Sequence, residues 1–292
     1  MSADDKVFLV TGSARGLGRH IAEAVLGAGH RLVAAARTPE RLADLTTKYG
    51  ERIHPVVLDV TDAEAAEAAV RAAVETFGRL DVVVNNAGYA DLASLEDITP
   101  EGFRAQIETN LFGVVNVSKA AVPVLRAQGS GHIIQISSVG GRVTTPGLSA
   151  YQAAKWAVGG FSEALAQEVG PLGVKVTVLE PGGMRTDWAG ASMTIPPVGE
   201  PYEGTVGAIA RLLRSGTGNA AGDPAKVAQV VLTVAGLAEP PVRLLLGTDA
   251  YAYGTAVARA RAEEDARWHD LTVSTDHDDV TAAELDPLSQ KA

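Results

Sequence analysis

Cysteine is absent from this chain of 292 residues, which excludes disulfides, thiolate metal sites and cysteine nucleophiles. Basic side chains are in deficit: 25 Lys and Arg against 35 Asp and Glu leave a formal charge of −10. Nucleic acids and anionic membranes favour a basic face, so neither is an expected partner. No apolar run approaches the ~20 residues that span a bilayer. The opening stretch, MSADDKVFLVTG, is acidic and unlike a signal peptide, so the expected location is cytoplasmic. The six histidines stand at no metal-ligand spacing with Asp or Glu, and no metal is expected. His132 begins a strand and is not where chemistry would need it. Of the tryptophans, none invites a cofactor reading, and Trp156 is expected to pack its helix against a neighbour.

What is present suits one large α/β domain: 46% of the residues are hydrophobic, and a single core can extend to roughly 250 residues. KVFLV (6–10), RLVAAA (31–36), IHPVVLDV (53–60), DVVVNNAG (81–88), HIIQISS (132–138), VKVTVLEPGG (174–183) and PVRLLLG (241–247) read as strands. Helices are expected at 16–29, 39–50, 62–77, 101–128, 150–170 and 223–237, with a further one at 249–270 and an acidic, polar tail. Continuous Val, Ile and Leu, without apolar–polar alternation, suit a parallel sheet covered on both faces. Regular βαβ alternation then implies a doubly wound sheet in three α/β/α layers.

TGSARGLG (11–18) joins the first strand to the first helix. In such a turn main-chain N–H groups and the helix dipole face a phosphate, and glycines let backbone approach a pyrophosphate. A purely structural turn is the competing reading; position in the first βα unit of a doubly wound sheet favours a dinucleotide. NAD-selective sites place a carboxylate at the end of strand two, where this chain has Ala35, Ala36 and Arg37. Arg15 and Arg37 can embrace a 2′-phosphate, or simply be solvated, so NADP(H) is favoured over NAD(H). Asp59 either accepts from an adenine amino group or caps the next helix, a task Asp62 suits equally. Tyr151 and Lys155 in SAYQAAKWAVGG stand one helical turn apart on one face, an arrangement that either moves a proton or merely decorates a helix.

Together TGSARGLG, Asp59, NNAG (85–88), Asn110, Ser138 in IQISSVGG, Tyr151-x-x-x-Lys155 and PGG (181–183) with Thr186 occur in the order of one family. Over about residues 5–250 the chain resembles the classical short-chain dehydrogenase/reductase family. The resemblance implies a Rossmann-like domain with a seven-stranded parallel sheet, covering residues 1–250, and an NAD(P)-dependent alcohol dehydrogenase or carbonyl reductase. It implies catalytic roles for Asn110, Ser138, Tyr151 and Lys155. Lysine would bind the nicotinamide ribose and favour the phenolate, and Asn110 would hold a relay water. Either serine of the Ser137–Ser138 pair fits the chemistry; Ser138 matches the family position. The implied cofactor-binding set is Gly12, Ser13, Arg15, Gly16, Leu17, Gly18, Arg37, Asp59, Val60, Asn86, Ala87, Gly88, Tyr151, Lys155, Pro181, Gly182, Met184 and Thr186.

Loops above the strand ends, including 184–222, are expected to shape the substrate. Tyr89, Val139, Trp188, Met193, Ile195 and Tyr202 are candidates for an apolar pocket or for packing of a lid. They suggest a small to medium, apolar carbonyl or alcohol. A carrier-bound ketoacyl group is the alternative substrate, with RLLRSG (211–216) as a small basic docking patch; a non-catalytic NADP(H) sensor is the alternative class. The segment 251–292 resembles extensions of longer, hydroxysteroid-dehydrogenase-like members. The resemblance implies a homo-oligomer, since many relatives are dimers or tetramers.

Overall fold

The computed structural model describes residues 5–185, 193–216 and 220–285. Its strands are β1 (Val7–Thr11), β2 (Arg31–Ala36), β3 (Ile53–Val57), β4 (Val82–Asn85), β5 (Gly131–Ile136), β6 (Val174–Pro181) and β7 (Arg243–Leu246). They form one seven-stranded sheet in the order β3-β2-β1-β4-β5-β6-β7, every pairing parallel. The order reverses between β1 and β4, and such a switch point opens a crevice at the carboxyl ends of the strands.

Alternate residues of one strand enter two different cores, which is why the strand sequences are continuously apolar. From β1, Phe8 and Val10 pack with Ile21 and Val25 of α1 (Gly16–Gly27) and Val227 and Val231 of α8 (Pro224–Gly236). Val7 and Leu9 pack on the opposite face with Val70 of α3 (Ala63–Phe77), Val117 of α5 (Gly113–Gln128) and Leu165 of α6 (Ser149–Val169). The expected doubly wound, three-layer architecture is therefore present.

Some boundaries differ from expectation for local reasons. The third strand stops at Val57 rather than 60, because Asp59 accepts from both the N–H and the hydroxyl of Thr61 and turns the chain. The fourth stops at Asn85 rather than 88: the next two N–H groups donate to the Thr11 hydroxyl. The helix expected at 39–50 splits into a 3₁₀ turn, Pro39–Leu42, and α2 (Ala43–Tyr49). The long helix expected at 101–128 is α4 (Pro100–Ile107), a π-helical turn (Glu108–Phe112) and α5. Between β6 and α8 lies α7 (Ala208–Gly216). After β7, α9 (Thr248–Arg267) is followed by α10 (His269–Val273) and α11 (Ala282–Leu285). Residues 255–292 group as a separate unit, whose described side chains are mostly exposed. Among the described residues no helix is long and apolar enough to cross a membrane.

His132 is a structural residue. It is buried on β5, and its Nε2 lies 3.0 Å from the Thr177 hydroxyl, which itself donates to Pro241 O. Nε2 must then carry the proton, leaving Nδ1 bare, and Nδ1 meets no donor. Burial, and secondarily Lys175 and Lys6, push its pKa down to about 3. The unfolded chain binds this proton below about 6.5 and the folded one does not. Stability is therefore expected to fall as pH drops from about 6.5 towards 3, by up to ~1.4 kcal/mol per pH unit from this group. Urea titrations across that range check it: His132→Gln should show a shallower fall, and an identical slope would remove His132 as the cause.

Candidate active site

A cavity of about 660 Å³ runs across the carboxyl ends of the strands, from the β1–α1 turn to Thr194. At the turn, Gly12 and Gly16 have φ of +67° and +53°, which side chains other than glycine rarely adopt. A Cβ on Gly18 would stand 2.2 Å from Gly12 O, so the helix can start this close only as glycine. The helices α3, α4 and α8 are capped by the side chains of Asp62, Thr99 and Asp223, whereas α1 has no side-chain cap at Arg15. Gly12, Arg15, Gly16, Leu17 and Gly18 line the cavity, so the uncapped end of α1 faces it. Uncapped N–H groups beside glycines are the donor set a pyrophosphate needs. Ser13, fully buried, donates its hydroxyl to Val10 O at 2.6 Å and its N–H to Ala35 O at 3.0 Å, bracing the turn.

The far end of the cavity is lined by Ala36, Arg37, Thr38 and Arg41 after β2, and by Leu58, Asp59 and Val60 after β3. Arg41 was not among the sequence candidates; it reaches the wall from the 3₁₀ turn that follows β2. Arg19, by contrast, is engaged by Asp44 and Glu23. Asp62 is the cap of α3, accepting from Glu64 N and Ala65 N, which leaves Asp59 at the cavity with Thr61 on one oxygen. Asn86, Ala87 and Gly88 form the wall between, and Asn86 Nδ2 donates back to Thr11 O at 2.9 Å.

The four residues of the expected catalytic set converge. Tyr151 and Lys155 project from α6, and the Tyr151 hydroxyl hydrogen-bonds Ser138, which accepts from Gly140 N at 3.0 Å. The Ser137 hydroxyl donates to Lys155 O at 3.4 Å, and of the two serines it is Ser138 that bonds the phenol. Lys155 is buried, donates to Ile136 O at 2.9 Å and stands 5.7 Å from the centre of the Tyr151 ring. Burial pushes the phenol up to about 12, opposed by the bond to Ser138, and pulls the ammonium down to about 8. Burial dominates, so the phenol holds its proton.

Asn110 sits in the π-helical turn, fully buried, its side chain committed to its neighbours. Nδ2 donates to Tyr89 O and Gln106 O at 2.8 and 2.9 Å, and Oδ1 accepts from Tyr89 N at 3.1 Å. The side chain has no further proton to offer, so any water it helps to hold must meet an acceptor here. A Cβ on Gly88 would stand 2.6 Å from Asn110 Oδ1 and 3.6 Å from Lys155 Nζ, so glycine lets the β4 loop close over this group.

Pro181, Gly182, Gly183 and Met184 line the cavity after β6. Asp249, in the first turn of α9, accepts from Gly183 N at 2.8 Å, and a Cβ on Gly182 would lie 2.3 Å from its carboxylate. Behind Ser138, buried Glu180 of β6 pairs with Arg142 and with Arg243 of β7, and Arg243 also pairs with Glu163. The end of the cavity towards Thr194 is lined by Tyr89, Asp91, Val139, Val143, Thr145, Leu148, Gln152 and Thr194. Met193 corrects the expectation: it is not on this wall but buried behind it with Leu92, Leu148, Tyr151 and Val206, and Ile195 and Tyr202 pack against the same cluster. Thr186 and Trp188 lie outside the described residues. Asp91, Gln152 and Asp249 carried no recognisable spacing in the sequence. No group of three His, Cys, Asp or Glu among the described residues is arranged to hold a metal.

Comparison with known proteins agrees with this geometry. The profile of the short chain dehydrogenase family matches residues 6–194. The chain is 55% identical to Oxidoreductase BOA17 of Botryotinia fuckeliana over 271 residues, 92% of this chain and 99% of the relative. It superposes on a short-chain dehydrogenase from Streptomyces avermitilis with a TM-score of 0.88, at 36% identity over 94% of this chain and 100% of the other. A short chain dehydrogenase of Burkholderia cenocepacia in complex with NADP gives a TM-score of 0.71 at 28% identity, covering 91% and 98%. One from Burkholderia phymatum in complex with NAD shares the fold, with a TM-score of 0.77 at 24% identity, covering 97% and 99%. This chain belongs to the short-chain dehydrogenase family and is an oxidoreductase of that family.

Proposed function

We propose that the protein is an NADP(H)-dependent reductase of a carbonyl, or dehydrogenase of a secondary alcohol, in which Tyr151 carries the proton. The observation behind the reading is the Ser138–Tyr151–Lys155 cluster at the cavity, beside glycine turns that leave room for a dinucleotide. The bound nicotinamide supplies the hydride. Ser138 offers its hydroxyl to the substrate oxygen and Tyr151 donates to that oxygen as negative charge develops. Lys155, held by Ile136 O, keeps a positive charge beside the phenolate left behind. The tether of Asn110 to Tyr89 holds the β4 loop above Lys155. Asp249 fixes the turn through Gly182 and Gly183 on the nicotinamide side.

Selection of NADP(H) rests on Arg15, Arg37 and Arg41 around the end of β2, where no carboxylate stands to repel a 2′-phosphate. Arg37→Ala is expected to raise the Kd for NADPH at least about tenfold more than that for NADH, since each charge-assisted bond contributes ~1.5–3 kcal/mol. Fluorescence titration of both cofactors reads this; an equal loss for both would remove the 2′-phosphate contact. The reaction class is tested by loss of NADPH absorbance with a panel of ketones and aldehydes. No oxidation by any of them, with none of the reverse reaction from secondary alcohols, would end this reading.

A further inference from the structure

We propose that Asp91 selects the substrate: the site admits carbonyl compounds that carry a hydrogen-bond donor such as a hydroxyl away from the reacting carbon, and turns away those with a carboxylate or phosphate there. This rests on the carbonyl-reductase reading above. The sequence alone pointed to an apolar pocket, and a carboxylate on its wall changes that expectation.

Asp91 is held on both sides. Its N–H donates to Oε1 of Gln106 at 3.0 Å, and Gln106 is fully buried beneath it, its own carbonyl accepting from Asn110. Its Oδ1 accepts from Thr194 N at 2.9 Å, in a segment that also accepts from Leu92 N. The carboxylate is thus placed by the same buried amides that place the catalytic loop. Its second oxygen has no protein partner among the described residues, and Asp91 forms no ion pair there. The cavity's arginines, 15, 37 and 41, come from the β1 and β2 ends, and Lys155 is committed to Ile136 O beneath the Tyr151 ring. Around Asp91 the polar wall is Tyr89, Thr145, Gln152 and Thr194, and Arg37 acts on the Tyr89 phenol without pairing with Asp91. The Gln152 oxygen is itself taken by Thr145 N.

A carboxylate oxygen with no ion-pair partner among the described residues, on a partly enclosed wall, rewards a donor and penalises an anion, which meets like charge there. A purely structural role, tethering Thr194, needs an oxygen but no charge. Asp91→Asn separates the two, because the amide oxygen can keep the Thr194 bond while the charge is gone.

The test compares cyclohexanones bearing hydrogen, hydroxymethyl or carboxylate at C4, with NADPH, in wild type, Asp91→Asn and Asp91→Ala. In wild type, kcat/KM for the hydroxymethyl ketone is expected to exceed that for the carboxylate at least about tenfold, and Asp91→Asn to bring the ratio close to one. A ratio unchanged in Asp91→Asn overturns the proposal and leaves Asp91 a tether, most plainly if Asp91→Ala lowers all three ketones together. If wild type reduces none of them, calorimetry of the same ketones on the NADPH-loaded protein reads the preference directly. Weaker binding of the carboxylate that recovers in Asp91→Asn then supports selection by Asp91 while the reaction assigned above fails. Equal binding of all three overturns the proposal.

Discussion

Tyr151→Phe is expected to lower turnover of any carbonyl substrate by about 10²–10⁴-fold, the contribution of a positioned proton donor, without loss of NADPH affinity or of folded stability. The ring is buried against Leu92, Leu148, Met193 and Val206, and phenylalanine fills the same space. What disappears is a hydroxyl whose bond is to Ser138, and Ser138 still accepts from Gly140 N. With burial holding the phenol up to about 12, it enters reduction protonated at any physiological pH. Single-turnover oxidation of bound NADPH, set beside the melting temperature, measures the two halves of this expectation. Turnover near the wild-type value in the variant would assign the proton to another donor.

Lys155→Met is expected to abolish turnover to a similar degree and yet leave the fold at least as stable at pH 7. Burial has drawn this ammonium from 10.5 to about 8, so keeping it charged at pH 7 costs on the order of 3 kcal/mol. Methionine removes that cost and offsets it only by the hydrogen bond that Ile136 O loses. The sign with pH follows. Between about 8 and 10.5 the unfolded chain holds a proton that the folded lysine has released, so the wild type gains stability as pH rises through that window. The variant should lack this rise. A marked fall in melting temperature of Lys155→Met at pH 7 would mean that the lysine is structural. Stabilisation together with loss of turnover would mark Lys155 as a group kept for function at a cost in stability.

The strands were legible because most are short, largely apolar runs whose alternate residues serve two helical layers, and that pattern is local. The glycine turn and the Tyr151–Lys155 pair were legible for the same reason, their spacing being set within one turn and one helix. What local pattern does not carry is commitment between distant elements. Ser13 sits inside a motif that suggests cofactor contact, yet its hydroxyl closes on Val10 O and its N–H on Ala35 O. Met193 has the character of a pocket residue, but the cluster of Leu92, Leu148 and Val206 draws it behind the wall. Glu180 reads as the end of a strand, and only the fold brings Arg142 and Arg243, 38 and 63 residues away, to its two oxygens. The π-helical turn at Asn110 left no mark in the helical periodicity, since one widened turn leaves the apolar spacing on either side intact.

The bond from Asp249 to Gly183 N joins a residue beyond the last strand to the turn after β6. Ser138, Tyr151 and Lys155 all lie upstream of it, so a shortened gene product ending at Leu246 would retain every group to which the proposed function gives a part in the reaction. It would also release the turn through Gly182 and Gly183, which the proposed function sets beside the nicotinamide. On the proposed function, the smallest working version of this enzyme is expected to extend into the first turn of α9, and trimming for crystallisation or fusion belongs after that turn.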